Sequence, residues 1–192
     1  MDLAGLKVGF CICGSFCTFE TIIPEIKKLV IKGANVVPVF SKPAYSWDTR
    51  FFSASEFRTI IESITGENIV HSIIDAERFG PDNKMDIMVV APCTGNTMAK
   101  LANGITDSAV TMACKAHLRN NNPVVLAIAT NDGLGANARN IGALLNRKNF
   151  YFVPFGQDEP CTKSNSLVAK FEMLLSTMAE AVNGRQIQPL LI

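Results

Sequence analysis

No apolar run in this sequence approaches the roughly 18 residues a bilayer span requires, and the opening MDLAGLKVGF lacks the basic-then-apolar order of a signal peptide. The chain is therefore expected to be soluble and cytoplasmic, with no membrane partner. No block of basic residues occurs: 18 Lys and Arg against 17 Asp and Glu leave a net charge of +1, so no nucleic-acid footprint is expected. Charge of either sign is scarce. Charged residues make up 18% of the chain, below the usual quarter, while apolar residues reach 48%, which implies surface buried between the copies of a homo-oligomer. C-x-x-C pairs and zinc spacings are missing, so Cys11, Cys13, Cys17, Cys93, Cys114 and Cys161 are read as packing thiols and no metal site is expected. Internal repeats and low-complexity segments are missing too, and 1–192 reads as one α/β domain.

What is present is organised around residues 86–115, DIMVVAPCTGNTMAKLANGITDSAVTMACK. A β-branched and apolar run, 87–90, reads as a buried strand. It delivers the polar turn Cys93-Thr94-Gly95-Asn96-Thr97, which feeds a short helix at 98–102 that Asn103-Gly104 stops. Asp107 or Ser108 caps the next helix, to Leu118. Hydroxyls, an amide and backbone N–H groups thus collect at the carboxyl end of a strand, where open parallel sheets bind ligands.

The same pattern recurs along the chain. A first strand, 7–13, ends at Gly14-Ser15, where little side-chain bulk and a helix N-terminus favour an anion. The turn is not G-x-G-x-x-G, so a mononucleotide fits better than a dinucleotide. The helix at 19–31 either takes Pro24 into its first turn behind a Thr21 cap or is kinked by it. A second strand, 35–40, is parallel to the first by the right-handed crossover rule, which brings Ser41 beside Gly14-Ser15. Residues 44–48, AYSWD, read as a loop over the site, Ser53 or Ser55 as the cap of a helix through Ile64, 65–74 as an unpatterned segment, and 77–84 as a loop. Another buried strand, 124–129, ends in Thr130-Asn131-Asp132-Gly133, followed by a helix at 136–145 and an outer strand at 150–155 containing Pro154. The loop 156–166 carries Asp158, Glu159 and Lys163, Ser164 or Asn165 caps a last helix to Val182, and the apolar tail 186–192 is expected to dock. Alternating strands and helices predict a three-layer, doubly wound, flavodoxin-like parallel sheet.

The run Ala91-Pro92-Cys93-Thr94-Gly95-Asn96-Thr97, continued by Ala99 to Asp107, resembles the PASANT motif and trailing pattern of the FMN-dependent cysteine decarboxylase superfamily. The resemblance implies an FMN site with Gly14, Ser15 and Ser41 at the phosphate, Thr94 and Asn96 against the flavin, and Phe16, Thr97 and Thr111 as further cofactor contacts. It also implies assembly as a trimer or dodecamer. The superfamily's P-x-M-N-x-x-M-W is replaced by residues 130–135, TNDGLG, in which Asn131 alone survives, and His71 is the candidate for its catalytic histidine.

Over almost the full length, the segments DAERFGPDNKMDIMVVAPCTGNTMAKLANGITD, AHLRNNNPVVLAIATNDGLGANARNIGALLN and FVPFGQDEP through GRQIQPLL resemble the dipicolinate synthase B subunits. That resemblance implies a sporulation oxidoreductase working with a separate, dinucleotide-binding protein, the synthase's A subunit, which would carry NADP, to oxidise a dihydrodipicolinate-type precursor. Asn131, Asn137 and Arg139 are candidates for holding the dicarboxylate, and His71 and Asn131 for catalysis. The rivals are a true decarboxylase and a non-catalytic partner of that dinucleotide-binding protein.

Overall fold

A computed structural model describes residues 3–80 and 84–192. Five segments rich in Val, Ile and Phe form the parallel part of the sheet: β1 (Lys7–Ile12), β2 (Asn35–Phe40), β3 (Ile87–Cys93), β4 (Val124–Thr130) and β5 (Phe150–Phe152). Their spatial order is β2-β1-β3-β4-β5, the doubly wound order expected, with Lys7 opposite Asn35, Val8 opposite Ile87 and Met88 opposite Val124 setting the registers. β3 is buried along its whole length and β4 except at Thr130, as a sheet covered on both faces demands.

The covering helices fall into two groups. On one face α1 (Phe19–Ile31) packs with α3 (Ala54–Thr65) and α8 (Leu174–Val182), and the short α2 (Lys42–Ser46) packs on α3. On the other, α6 (Ala109–Leu118) packs with α4 (Ile73–Glu77) and α5 (Gly95–Asn103), and α5 packs with α7 (Ala138–Leu145). Ser53 Oγ accepts from the Glu56 amide, Ser108 from Thr111, and Gly104 closes α5 with a left-handed φ of 71°.

Several expectations are corrected. Thr21 does not cap α1: a 3-10 turn, Phe16–Thr18, leads into it and Pro24 lies in its interior, at the cost of one backbone bond. The first three residues of AYSWD belong to α2, because Ser41 Oγ accepts from the Ala44 amide and Pro43 favours a helix start. The unpatterned segment bridges Val70 to Val39 and then enters α4, capped by Ser72. The loop expected at 77–84 lies partly outside the described residues.

The fifth strand stops at Phe152. Beyond Pro154, β6 (Phe155–Gly156) pairs antiparallel with β7 (Leu167–Ala169), which itself runs antiparallel to the end of β4. The last helix therefore begins at Leu174 and not near Ser164 or Asn165. Leu167 and Ala169 are buried on either side of Val168, a strand period that the helical spacing of Val168, Phe171, Leu174 and Met178 masks.

The tail docks as expected. Gln186 accepts from the Phe152 amide and donates to its carbonyl, both at 2.7 Å, and Ile192 N–H reaches the Phe155 carbonyl at 3.2 Å. Gln186→Ala leaves that strand edge unpaired and is expected to lower stability by about 1–3 kcal/mol in urea unfolding. An unchanged midpoint would show that the edge is satisfied without the side chain.

His117 is fully buried, its Nε2–H donating to the Pro123 carbonyl at 3.0 Å while Nδ1 has no partner among the described residues. Burial lowers its pKa from the ordinary 6.5, against the opposing pull of Pro123 and Asp86. Below 6.5 the unfolded chain binds more protons than the folded one, so this stability is complete above that pH and disappears as pH falls through the depressed folded value. Urea midpoints recorded from about pH 7 to about pH 5 should fall more steeply in the wild type than in His117→Gln.

Candidate functional site

Three neighbouring strand tips shape one hollow. β1 ends at Gly14-Ser15, β3 at Cys93-Thr94 and β4 at Thr130-Asn131, all on the carboxyl edge because the strands are parallel. They open into a cavity of about 570 Å³ lined by Gly14 to Thr18, by Thr94 and Gly95, and by Ala129 to Asn131, with Val168 of β7 closing one side. Small-molecule sites span roughly 300–1,000 Å³. A second hollow of about 600 Å³ lies at the amino edge, between Leu3, Lys32 and α8, but its Glu180 and Arg185 neutralise each other at 2.6 Å and no strand tip feeds it.

Hydrogen bonds weld the tips together. The Cys13 amide donates to the Pro92 carbonyl at 3.3 Å, past the point where the β3 register shifts at Ala91-Pro92. Thr94 caps α5, its hydroxyl accepting from the Thr97 amide at 3.4 Å and donating to the Thr97 hydroxyl at 3.2 Å; that hydroxyl donates in turn to Cys13 Sγ at 3.2 Å. Burial pushes the Cys13 thiol up to about 12 even though Thr97 and the Thr94 backbone pull the other way, so it stays protonated at neutral pH.

A second chain of polar groups runs under β4. Thr130 Oγ1 donates to Asp132 Oδ1 at 2.6 Å, Asn137 Nδ2 to the same oxygen at 2.8 Å, and Asn140 Nδ2 to Asn137 Oδ1 at 2.9 Å. The Thr130 hydroxyl and then the Asn137 amide hold the Asp132 carboxyl below the usual carboxylate range. This brace leaves no room beside Gly95: a Cβ there would lie 2.5 Å from Asn137 Nδ2 and 2.7 Å from Thr130 Oγ1. Gly14 is less confined, but a Cβ there would still press on Pro43 at 3.1 Å and on the Phe16 ring at 3.3 Å. The floor is thus a surface of backbone and small hydroxyls, the form a flat ring and its phosphate need.

Of the residues singled out in sequence, Gly14, Ser15, Phe16, Thr94 and Asn131 line the cavity. Ser41 sits at the tip of β2, touching the Gly14 turn through Pro43, with its hydroxyl engaged as the α2 cap. Thr97 is buried beneath the floor and Asn96 is exposed on the first turn of α5. Thr111 is spent in the α6 capping box and borders a different cleft, beside Lys115 and Arg147. His71 stacks on Tyr45 at 3.8 Å in a separate hollow with Lys42 and Asp107. Asn137 belongs to the brace, and Arg139 is exposed on α7 away from the lining.

The lining also holds Cys17, Arg50, Phe51, Asp158, Lys163 and Ser166, which periodicity and spacing did not single out as site residues. Arg50 and Phe51 belong to the turn between α2 and α3, Asp158, Lys163 and Ser166 to the loop between β6 and β7, and Cys17 to the 3-10 turn after β1. Cys11, Cys13, Cys93 and Cys114 are free thiols in the core, whereas Cys17 and Cys161 are exposed, so packing does not explain those two. Among the described residues no group of His, Cys, Asp and Glu is placed to hold a metal, and no helix is long and apolar enough to cross a membrane.

The model of the Flavoprotein family matches residues 1–181. The B subunit of dipicolinate synthase from Bacillus subtilis (strain 168) is 48% identical over 191 residues, spanning 100% of this chain and 96% of that protein. The crystal structure of the dipicolinate synthase B subunit from Bacillus halodurans superposes with a TM-score of 0.92 at 49% identity, covering 100% of this chain and 98% of the other. An FMN-dependent cysteine decarboxylase, SpaF, shares the fold with a TM-score of 0.70 at 22% identity, covering 93% of this chain and 98% of its own.

Proposed function

Because this chain belongs to the Flavoprotein family, and within it to the dipicolinate synthase B subunits, we propose that it holds FMN in the strand-tip cavity. We infer further that it works in the cytoplasm with the synthase's dinucleotide-binding, NADP-carrying A subunit to oxidise a dihydrodipicolinate-type precursor during sporulation. The observation that carries this reading is the convergence of three adjacent strand tips on one hollow of about 570 Å³.

The residues present fit such a cofactor. Gly95 leaves no room for a methyl group, which would collide with Asn137 and Thr130, and Gly14 would admit one only if Pro43 and Phe16 gave way slightly. Ser15 and the amides opening the 3-10 turn at Phe16 suit the phosphate, and the positive end of α1 favours its charge. Thr94, its hydroxyl proton given to Thr97, and Asn131 line the cavity from different strand tips and would flank the ring. Bound FMN supplies a two-electron acceptor for a dihydro ring that becomes aromatic. The protein's part is to position that ring and shield it from water, with Phe16, Phe51 and Val168 supplying the apolar walls.

A decarboxylase reading gains little support, since the loop after β4 keeps only Asn131 of the P-x-M-N-x-x-M-W pattern. The test is dipicolinate formation by each of the two proteins separately and by the pair, with and without FMN. Activity is expected to need both proteins and FMN. Full activity of the dinucleotide-binding protein in the absence of this chain would leave this chain without a catalytic part.

A further inference from the structure

We propose that Arg50 and Lys163 bind the two carboxylates of the ligand and make the cavity selective for dicarboxylates. The proposal deepens the function above and rests on its dicarboxylate part. Most of the lining is neutral; the charged groups in it are Arg50, Lys163 and Asp158. Arg50 comes from the turn between α2 and α3, and Lys163 from the loop between β6 and β7. Since β2 and β7 flank β1, β3 and β4 in the sheet, the two cations approach the strand tips from opposite sides.

The Arg50 turn is fixed in advance. The Thr49 hydroxyl accepts from the amides of Phe51 and Phe52 at 3.2 and 3.3 Å, and Asp48 accepts from the Ala54 amide at 2.8 Å. At its tip the guanidinium rests 4.9 Å from the centre of the Phe51 ring, and among the described residues no carboxylate pairs with it. A planar fork of donors held on an aromatic ring and left unspent suits a carboxylate better than a solvated lysine would.

Lys163 is held differently. Its amide closes a turn on the Glu159 carbonyl at 2.7 Å, and its Nζ lies 3.2 Å from Glu159 and 3.9 Å from Asp158. With 47% of its side chain exposed, it makes ion pairs of the weak kind that a ligand carboxylate can replace. Arg139 is outside the lining and the Asn137 amide is committed to Asp132, so neither is free to take this role.

The test uses calorimetric titration of the full chain with pyridine-2,6-dicarboxylate and pyridine-2-carboxylate, alongside FMN and riboflavin, in the wild type, Arg50→Met and Lys163→Met. Both residues are exposed enough for the variants to fold. Each substitution should weaken the dicarboxylate by about 10- to 100-fold and shrink its advantage over the monocarboxylate, with FMN and riboflavin unaffected. Wild-type dicarboxylate affinity in both variants overturns the proposal. So does an Arg50→Met protein that loses FMN but keeps riboflavin, since the guanidinium would then serve the phosphate. A wild type that binds FMN but no dicarboxylate overturns the proposal and leaves the flavin reading intact. Dicarboxylate binding that depends on both cations in a protein that takes up no FMN upholds it and removes the flavin.

Discussion

Gly95→Ala is expected to lower FMN affinity by about 100-fold and stability by about 1–3 kcal/mol, the usual cost of forcing a methyl group into a packed site. The reason is local. The new Cβ would stand 2.5 Å from Asn137 Nδ2, so either the α5 N-terminus withdraws from β4 or the Thr130-Asp132-Asn137 brace breaks. The double variant Gly95→Ala/Asn137→Ala separates these outcomes. Removing the obstructing amide should recover part of the FMN affinity, with a coupling between the two sites of the kind found for groups in contact. Strict additivity would mean that Gly95 matters for a reason other than this contact.

The second large effect is electrostatic. Ser15→Asp is compatible with a helix-cap position, so the fold should tolerate it. The carboxylate would nevertheless sit where the phosphate is proposed to bind, and two like charges near a protein surface repel by several kcal/mol at about 4 Å. FMN affinity should therefore fall by about 100-fold or more, while riboflavin, which lacks the phosphate, should lose little. Equal losses for both ligands would place the phosphate elsewhere. Fluorescence quenching of each flavin reads the difference directly.

Legibility in the sequence followed the range of the interactions involved. The helix at Phe19–Ile31 and the strand at Asn35–Phe40 emerge with the expected bounds because their signals are local: an apolar period, a macrodipole-matched charge order and a stopping glycine at φ 84°. The strand tips were legible for the same reason, since small polar residues follow each buried run. β7 was not, because it is three residues long, with only Leu167 and Val168 pairing with Thr130 and Ala129 of β4, and Val168 falls in helical spacing with the residues after it. Asn137 and Arg139 looked suited to an anion in sequence, yet folding commits one to Asp132 and leaves the other exposed on α7.

Arg50 and Lys163 illustrate the converse. Neither stands in a motif, and 113 positions separate them (163 − 50); only the sheet order brings their loops to one cavity. A charged residue in a loop is ordinarily solvated, so composition gives no reason to select these two over Lys148 or Arg78. The link between Thr97 and Cys13 was equally invisible, because the two become neighbours only when β1 and β3 lie side by side.

The cradle formed by the tips of β1, β3 and β4 is tested most directly by titrating FMN into the purified full chain and following flavin absorbance and thermal stability, with Gly95→Ala and Ser15→Asp in parallel. Saturable uptake that raises the melting temperature in the wild type, and is weakened in both variants, is the expected result. A wild-type protein that stays colourless and gains no thermal stability from FMN, or variants that bind it as well as the wild type, would contradict a flavin at these strand tips.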